Sequence, residues 1–200
     1  MPTMIPSVSD SLRNQFLIAT HCLETGIFKS SVTYICEHNE DGAMGIIINR
    51  PSSLSLQDIL TDVCESNAAT PNPVENTAPV MVGGPVGLER GFVLHQLTDD
   101  EDASCWSSSL HVTKRIVLTG SKDILLAINE GRGPHNYLVV LGYAGWEAGQ
   151  LEQELVDNAW LNTPANPTIL FDTPFHQRAN AAANLLGIDL ASLATMTGKA

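Results

Sequence analysis

The sequence predicts one α+β domain covering residues 1–200, and three observations lead to it. Strand-type runs outnumber helical ones. They fall in pairs as well as beside helices, unlike the strict alternation of a doubly wound sheet. A chain of 200 residues with 44% hydrophobic content is also long enough to bury a sizeable core. No repeat of about 20–50 residues is visible, and no segment is low in complexity.

Residues 1–13 are expected to be flexible. Residues 16–20 are a short apolar run, and 31–38 set Val32, Tyr34 and Cys36 against Thr33, Ile35 and Glu37, so both read as strands. Residues 42–50 hold Ile46, Ile47 and Ile48 in series, the pattern of a strand covered on both faces. Asp41-Gly42 between these runs predicts a hairpin. From Ser55 the period changes: Leu56, Ile59, Leu60 and Val63 mark one helical face, and Ser55 with Asp58 forms a starting cap. Residues 65–79 carry Pro71, Pro73 and Pro79 and read as a long loop.

Two apolar runs then flank Gly83-Gly84-Pro85-Val86, the second ending in Gly91-Phe92-Val93-Leu94-His95. Residues 98–110 are acidic and then rich in serine, a second long, solvated loop. Residues 111–119 return to strand character. Ser121 caps a helix through Glu130, with Ile124, Leu125 and Ile128 buried and Gly131 as its stop. Residues 137–143 read as a central strand. A helix from about Gly149 places Leu151 and Leu155 on one face, with Glu152 and Glu154 near its positive end. Thr173-Pro174 opens a last helix, closed by Leu185, Leu186 and Gly187.

Ten Lys and Arg against 22 Asp and Glu give a net charge of −12, which repels phosphate backbones and anionic lipids. Direct nucleic-acid binding is therefore disfavoured. No stretch reaches the ~20 apolar residues of a membrane span, and the first ten residues lack a signal-peptide core, so a cytoplasmic location is expected. Cys22, Cys36, Cys64 and Cys105 show no close pairing and are read as free thiols in a reducing compartment.

Several ordered segments resemble the AlgH/YqgE family of small bacterial proteins. They are Asn14-Gln15-Phe16-Leu17-Ile18-Ala19, Tyr34-Ile35-Cys36-Glu37-His38-Asn39, Gly42-Ala43-Met44-Gly45-Ile46-Ile47-Ile48-Asn49, Gly83-Gly84-Pro85-Val86 and Gly91-Phe92-Val93-Leu94-His95. The series continues with Leu141-Gly142-Tyr143-Ala144-Gly145-Trp146, Gly149-Gln150-Leu151-Glu152-Gln153-Glu154, Asn158-Ala159-Trp160-Leu161 and Ile169-Leu170-Phe171. The resemblance implies a branched mixed sheet curled into a partial barrel, with helices packed outside. It also brings a label of transcriptional regulator, which is analogy at family level. The chain departs from the family pattern in three places. Thr20-His21 stands where Met-Pro is usual, Ala179 follows Arg178 where Trp is usual, and Gly198-Lys199-Ala200 replaces Gly-His-Ala.

Candidate ligand-binding residues are Glu37, His38, Asn49, Gly83, Gly84 and His95, all at expected strand ends or turns. If they converge, His38 or His95 is a candidate base near neutral pH with Glu37 orienting it; the plainer role is hydrogen bonding to the hairpin and its loop. Gly83 and Gly84 are candidates to let backbone amides approach an anion, or simply to bend the sheet. Gly131-Arg132-Gly133-Pro134-His135-Asn136 fails the dinucleotide fingerprint. Cys36 and His38 share a face on a regular strand, yet no fourth ligand is spaced to complete a metal site with His95. Trp146, Trp160, Tyr143 and Leu151 are read as core. No cofactor or metal is expected. The reading is a non-catalytic regulatory or accessory factor with an unidentified protein or small-molecule partner; the alternative is an enzyme or sensor with a pocket among the six candidates.

Overall fold

A computed structural model describes residues 11–66, 79–98 and 106–190. The strands are β1 (Gln15–Ala19), β2 (Val32–Asn39), β3 (Gly42–Ile47), β4 (Pro51–Ser55), β5 (Pro79–Val82), β6 (Val86–Gln96), β7 (Ser109–His111), β8 (Ile116–Thr119), β9 (Asn136–Glu147) and β10 (Trp160–Pro164). The helices are α1 (Leu56–Ser66), α2 (Lys122–Asn129), α3 (Gln150–Val156), α4 (Pro167–Phe171) and α5 (Arg178–Asn184). The strand order is β10-β1-β2-β3-β9-β6-β8-β7, with β4 and β5 off this path.

β9 is where the sheet branches. Its second half, from Ala144 to Glu147, pairs with β3. Its first half pairs with β6, from Gln96↔Asn136 to Gly91↔Leu141. Val140 and Leu141 also pair in parallel with Met81 and Val82 of β5, which makes the sheet mixed. Gly142, at φ +71°, marks the change: Val86 pairs with Tyr143 and the next pair is Gly91↔Leu141, so residues 87–90 bulge outward.

One face of the curled sheet gathers Phe16, Tyr34, Ile46, Leu94, Leu118 and Val140 into the main core, closed by Ile169 and Leu170 of α4 and Ala182 and Ala183 of α5. Arg13 Nε donates to Val112 O at 3.0 Å, joining the start of β1 to the end of β7. These contacts define a half-barrel whose concave side is the main core. The convex face carries two separate layers. α1 and α2 pack Leu56, Leu60, Ile124 and Ile128 on Val80, Val93 and Val139. α3 packs Leu151 against Leu17, Ile35, Trp146 and Trp160.

The expected elements are present with four differences. The run ending at Arg50 stops at Ile47 and is followed by the edge strand β4, whose Pro51 is compatible with an edge. Residues 111–119 are not one strand: Thr113 Oγ1 accepts from Arg115 N and Ile116 N, turning β7 into β8. β10 and α4 are additional; β10 pairs with β1 in full register from Gln15↔Pro164 to Ala19↔Trp160. The last helix begins as a 3₁₀ turn, Phe175–Gln177, before α5. The cap at α1 forms as expected: Ser55 Oγ donates to Asp58 Oδ2 at 2.7 Å, and Asp58 N donates back to Ser55 Oγ at 3.2 Å.

The middles of both expected long loops, residues 67–78 and 99–105, lie outside the described residues, as do residues 1–10. Of the stretch expected to be flexible, Ser11 and Leu12 are hydrogen-bonded to His38. Cys22, Cys36 and Cys64 are free thiols, and Cys105 lies outside the described residues. No described helix is long and apolar enough to cross a membrane.

Candidate functional site

The six candidate residues do not converge. The cause begins at Cys36, where β2 carries a bulge against β3: Ile35 pairs with Gly45, but Glu37 pairs with Met44 and His38 with Ala43. One extra residue reverses which side chains share a face. His38 therefore joins Ile35 and Ala43 on the convex side, while Cys36 and Glu37 face the concave core beside Tyr34 and Met44. Two expectations fall with this reversal. Cys36 and His38 do not share a face, and Glu37 does not orient His38. Among the described residues, no group of three His, Cys, Asp or Glu side chains is arranged to hold a metal.

His38 is buried, and both of its ring nitrogens are used. Leu12 N–H donates to Nδ1 at 2.9 Å, which places the ring proton on Nε2, and Nε2 donates to Glu152 Oε1 at 2.8 Å. Ser11 Oγ also donates to His38 O, so β2 holds the chain entering β1. The Glu152 carboxyl lies below the ordinary glutamate range, first through its own backbone N–H and then through His38, with burial opposing. Two residues on, Glu154 Oε2 accepts both indole N–H groups, from Trp146 and Trp160, each at 2.8 Å. Phe28 packs on both indoles.

The other candidates lie elsewhere. His38 aligns through Ala43 with Trp146, whereas His95 pairs with Tyr137. These two β9 positions are nine residues apart, roughly 30 Å along an extended strand at ~3.3 Å per residue. His95 is fully buried, its Nε2 3.0 Å from Thr119 Oγ1, which in turn meets Ser109 Oγ at 2.8 Å. Asn49 joins two chain segments: Oδ1 accepts from Val32 N and Nδ2 donates to Ser30 O, both at 2.9 Å.

At Gly83 the backbone is spent on the sheet, with N–H donating to Leu141 O and O accepting from Ile47 N. A Cβ on Gly84 would collide with the Tyr143 carbonyl and Ala144 N. The two glycines thus let β5 cross close to β9.

Two other buried groups on the concave side serve packing. Burial pushes the Cys36 thiol up, far from a reactive thiolate. Arg178 Nε and Nη1 donate to Thr173 O and Ile48 O, and burial brings its guanidinium down to about 10.

A cavity of about 270 Å³ opens at one end of the sheet, where β6 ends and β8 and β9 begin. Its lining is Gln96, Leu97, Thr98, Arg115, His135 and Asn136. Gln96 pairs with Asn136 on one side and Ile116 on the other, so three strand ends converge on it. Asn136 Nδ2 donates to Gln96 Oε1 at 3.1 Å, which sets the orientation of both amides. None of the six sequence candidates lines it. The available signal was charge: four of the ten lysines and arginines, Lys114, Arg115, Lys122 and Arg132, fall within 114–132 of an acidic chain.

Fold and site together define a small α+β half-barrel protein whose most chemical-looking histidine is an anchor and whose open cavity lies at the opposite part of β9. The chain belongs to the AlgH-like family: the model described as DUF179: AlgH-like matches residues 16–191. It is 50% identical to a UPF0301 protein of Nitrosococcus oceani over 188 residues, 94% of this chain and 96% of that one. A UPF0301 protein of Thioalkalivibrio sulfidiphilus is 50% identical over 195 residues, covering 97% and 100%. The solution structure of the AlgH protein from Pseudomonas aeruginosa matches at TM-score 0.75 and 42% identity, over 100% of this chain and 98% of that one. A Corynebacterium diphtheriae protein, DIP2367, shares the fold at TM-score 0.63 and 21% identity, covering 85% and 83%.

Proposed function

We propose that the protein is a non-catalytic accessory factor of the cytoplasm that binds a small ligand or a protein partner and does not bind nucleic acid directly. The observation that carries this reading is the engagement of His38. A general base needs a ring nitrogen within reach of the substrate proton, and here Nδ1 receives Leu12 N–H while Nε2 is held by Glu152. The label of regulator is compatible with a binding role, and the charge of −12 disfavours a DNA-contacting one.

The test is incubation of purified protein with a metabolite extract from its source, followed by mass spectrometry. Wild type and His38→Gln are compared after circular dichroism shows that both are folded. The expected result is retention of a compound or partner at no more than stoichiometric amount by both proteins. Consumption of a metabolite over many turnovers, lost in His38→Gln, overturns the reading.

A further inference from the structure

We propose that His38 is a pH-sensitive latch: its protonation detaches the chain up to Leu12 from the sheet while α3 stays in place. This goes beyond the accessory-factor reading and does not rest on it. The neutral ring joins two elements at once. Nδ1 accepts from Leu12 N–H at 2.9 Å on one side, and Nε2 donates to Glu152 Oε1 at 2.8 Å on the other. Ser11 Oγ adds a bond to His38 O at 2.9 Å.

An imidazolium carries a proton on both nitrogens and accepts nothing. The two contacts therefore respond in opposite directions to the same proton. The bond to Glu152 becomes a charge-assisted pair and tightens. At Nδ1 two N–H groups then face each other, and a backbone amide cannot change its role, so the bond to Leu12 is lost. Side-chain exposure is 3% for His38 and 40% for Glu152. The counter-charge thus keeps its contact with water, whereas the ring is too enclosed for water to serve the Leu12 amide unless the segment moves out.

The groups around the ring leave its charge to Glu152. On β3 the facing residue is Ala43, and on β9 it is Trp146. Glu147, next to Trp146, alternates to the other face and is exposed. Glu37 on β2 lies on the concave side, and Glu40 and Asp41 in the hairpin turn are exposed. Glu154 on α3 is taken up by the two indoles. Arg13 is turned to Val112 O, just past β7.

The detached stretch has a defined end. Besides the Arg13 bond, Asn14 N–H donates to Ile35 O and Asn14 Oδ1 accepts from Tyr34 O–H, both at 2.9 Å, and none of the three involves His38. β1 therefore stays in the sheet, and only the residues ahead of Arg13 leave. Leu12 then withdraws from the apolar layer that it shares with Leu151 and Trp146. That burial keeps the latch shut while the ring is neutral. Acidification opens a local apolar surface without unfolding the domain.

Amide hydrogen exchange of the full chain, followed by NMR from about pH 8 to about pH 5, where imidazoles titrate, tests the latch. The ring nitrogen shifts of His38 are read in the same samples. As His38 titrates, the protection factor of Leu12, corrected for the intrinsic pH dependence of exchange, should fall by about tenfold, the equivalent of one hydrogen bond. Those of Ile18 and Tyr34 should not change. His38→Asn, whose Oδ1 replaces Nδ1 as an acceptor that does not titrate, should hold the Leu12 amide across the range. Glu152→Gln, which removes the counter-charge, should move the loss of Leu12 protection to lower pH. The proposal is overturned if the ring titrates with Leu12 still protected, if Leu12, Ile18 and Tyr34 lose protection together, or if His38→Asn loses Leu12 protection over the same range as wild type. A ring that stays neutral down to the pH at which the whole domain unfolds overturns it as well.

Discussion

Replacing Glu154 by Ala separates α3 from the two tryptophans that its carboxylate joins. Oε2 accepts both indole N–H groups and Oε1 accepts Gln150 Nε2 at 2.9 Å. The tryptophans are only 6% and 3% exposed, so Glu154→Ala leaves two donors with little water around them. An unmet buried donor costs ~1–3 kcal/mol. Glu154 itself is half-buried, so water entering its place recovers part of each bond, and about 3 kcal/mol in total is expected. For a chain of this size that lowers Tm by about 6–12 °C. Glu154→Gln keeps an oxygen where Oε2 lies and retains both indole bonds in neutral form, so it should lose only about 1–2 kcal/mol. Urea unfolding followed by tryptophan fluorescence, with circular dichroism as a second probe, gives both values. A loss below about 1 kcal/mol in Glu154→Ala, or equal losses in the two variants, would refute the role of the carboxylate as a staple.

Three further outcomes follow from the geometry. Glu152 is held below the ordinary carboxylate range, so its stabilisation is present above the unfolded value of ~4.3 and disappears as pH falls through the lower folded value; the wild-type advantage over Glu152→Gln in urea midpoint should shrink across that acidic window, and a constant gap contradicts it. Gly84→Ala should lose more than about 3 kcal/mol or fail to fold, whereas Gly26→Ala, with open space around its Cβ position, should show only the left-handed backbone strain of about 1–2 kcal/mol; equal melting temperatures of the two would show that β5 and β9 are not locked at Gly84. In a Cys105→Ser background, alkylation of the folded protein should mark Cys22 alone, with Cys36 and Cys64 reacting only after denaturation; peptide mapping by mass spectrometry decides.

Periodicity made most of the fold legible. Residues 31–38 read as a strand from alternation, 42–50 from the run of isoleucines and 137–143 from an apolar run that suits a central strand, and Ser55 with Asp58 announces α1. β10 carries no comparable signal, because Trp160-Leu161-Asn162-Thr163-Pro164 is an edge segment whose partner, β1, lies some 145 residues away in sequence. The candidate site was legible only as residue types. Strict alternation places His38 beside Cys36, and a single bulge reverses that placement; nothing in the tetrapeptide Cys36-Glu37-His38-Asn39 announces a bulge. In sequence Glu152 and Glu154 are only charges at a helix start, since their partners on β2, β9 and β10 converge only in three dimensions.

The pairing of β1 with β10 has a consequence for biosynthesis. On a ribosome the amino-terminal hairpin emerges early, yet one edge of β1 stays unpaired until Pro164 has been made. β9, which joins β3, β5 and β6, arrives only shortly before. Such late, distant pairings make for a high contact order and slow completion. During elongation the open edge of β1, flanked by Phe16, Leu17 and Ile18, is a template for a second nascent chain. The vulnerable period of this protein is therefore its synthesis, and a chain truncated before residue 160 should aggregate rather than remain as a smaller folded unit.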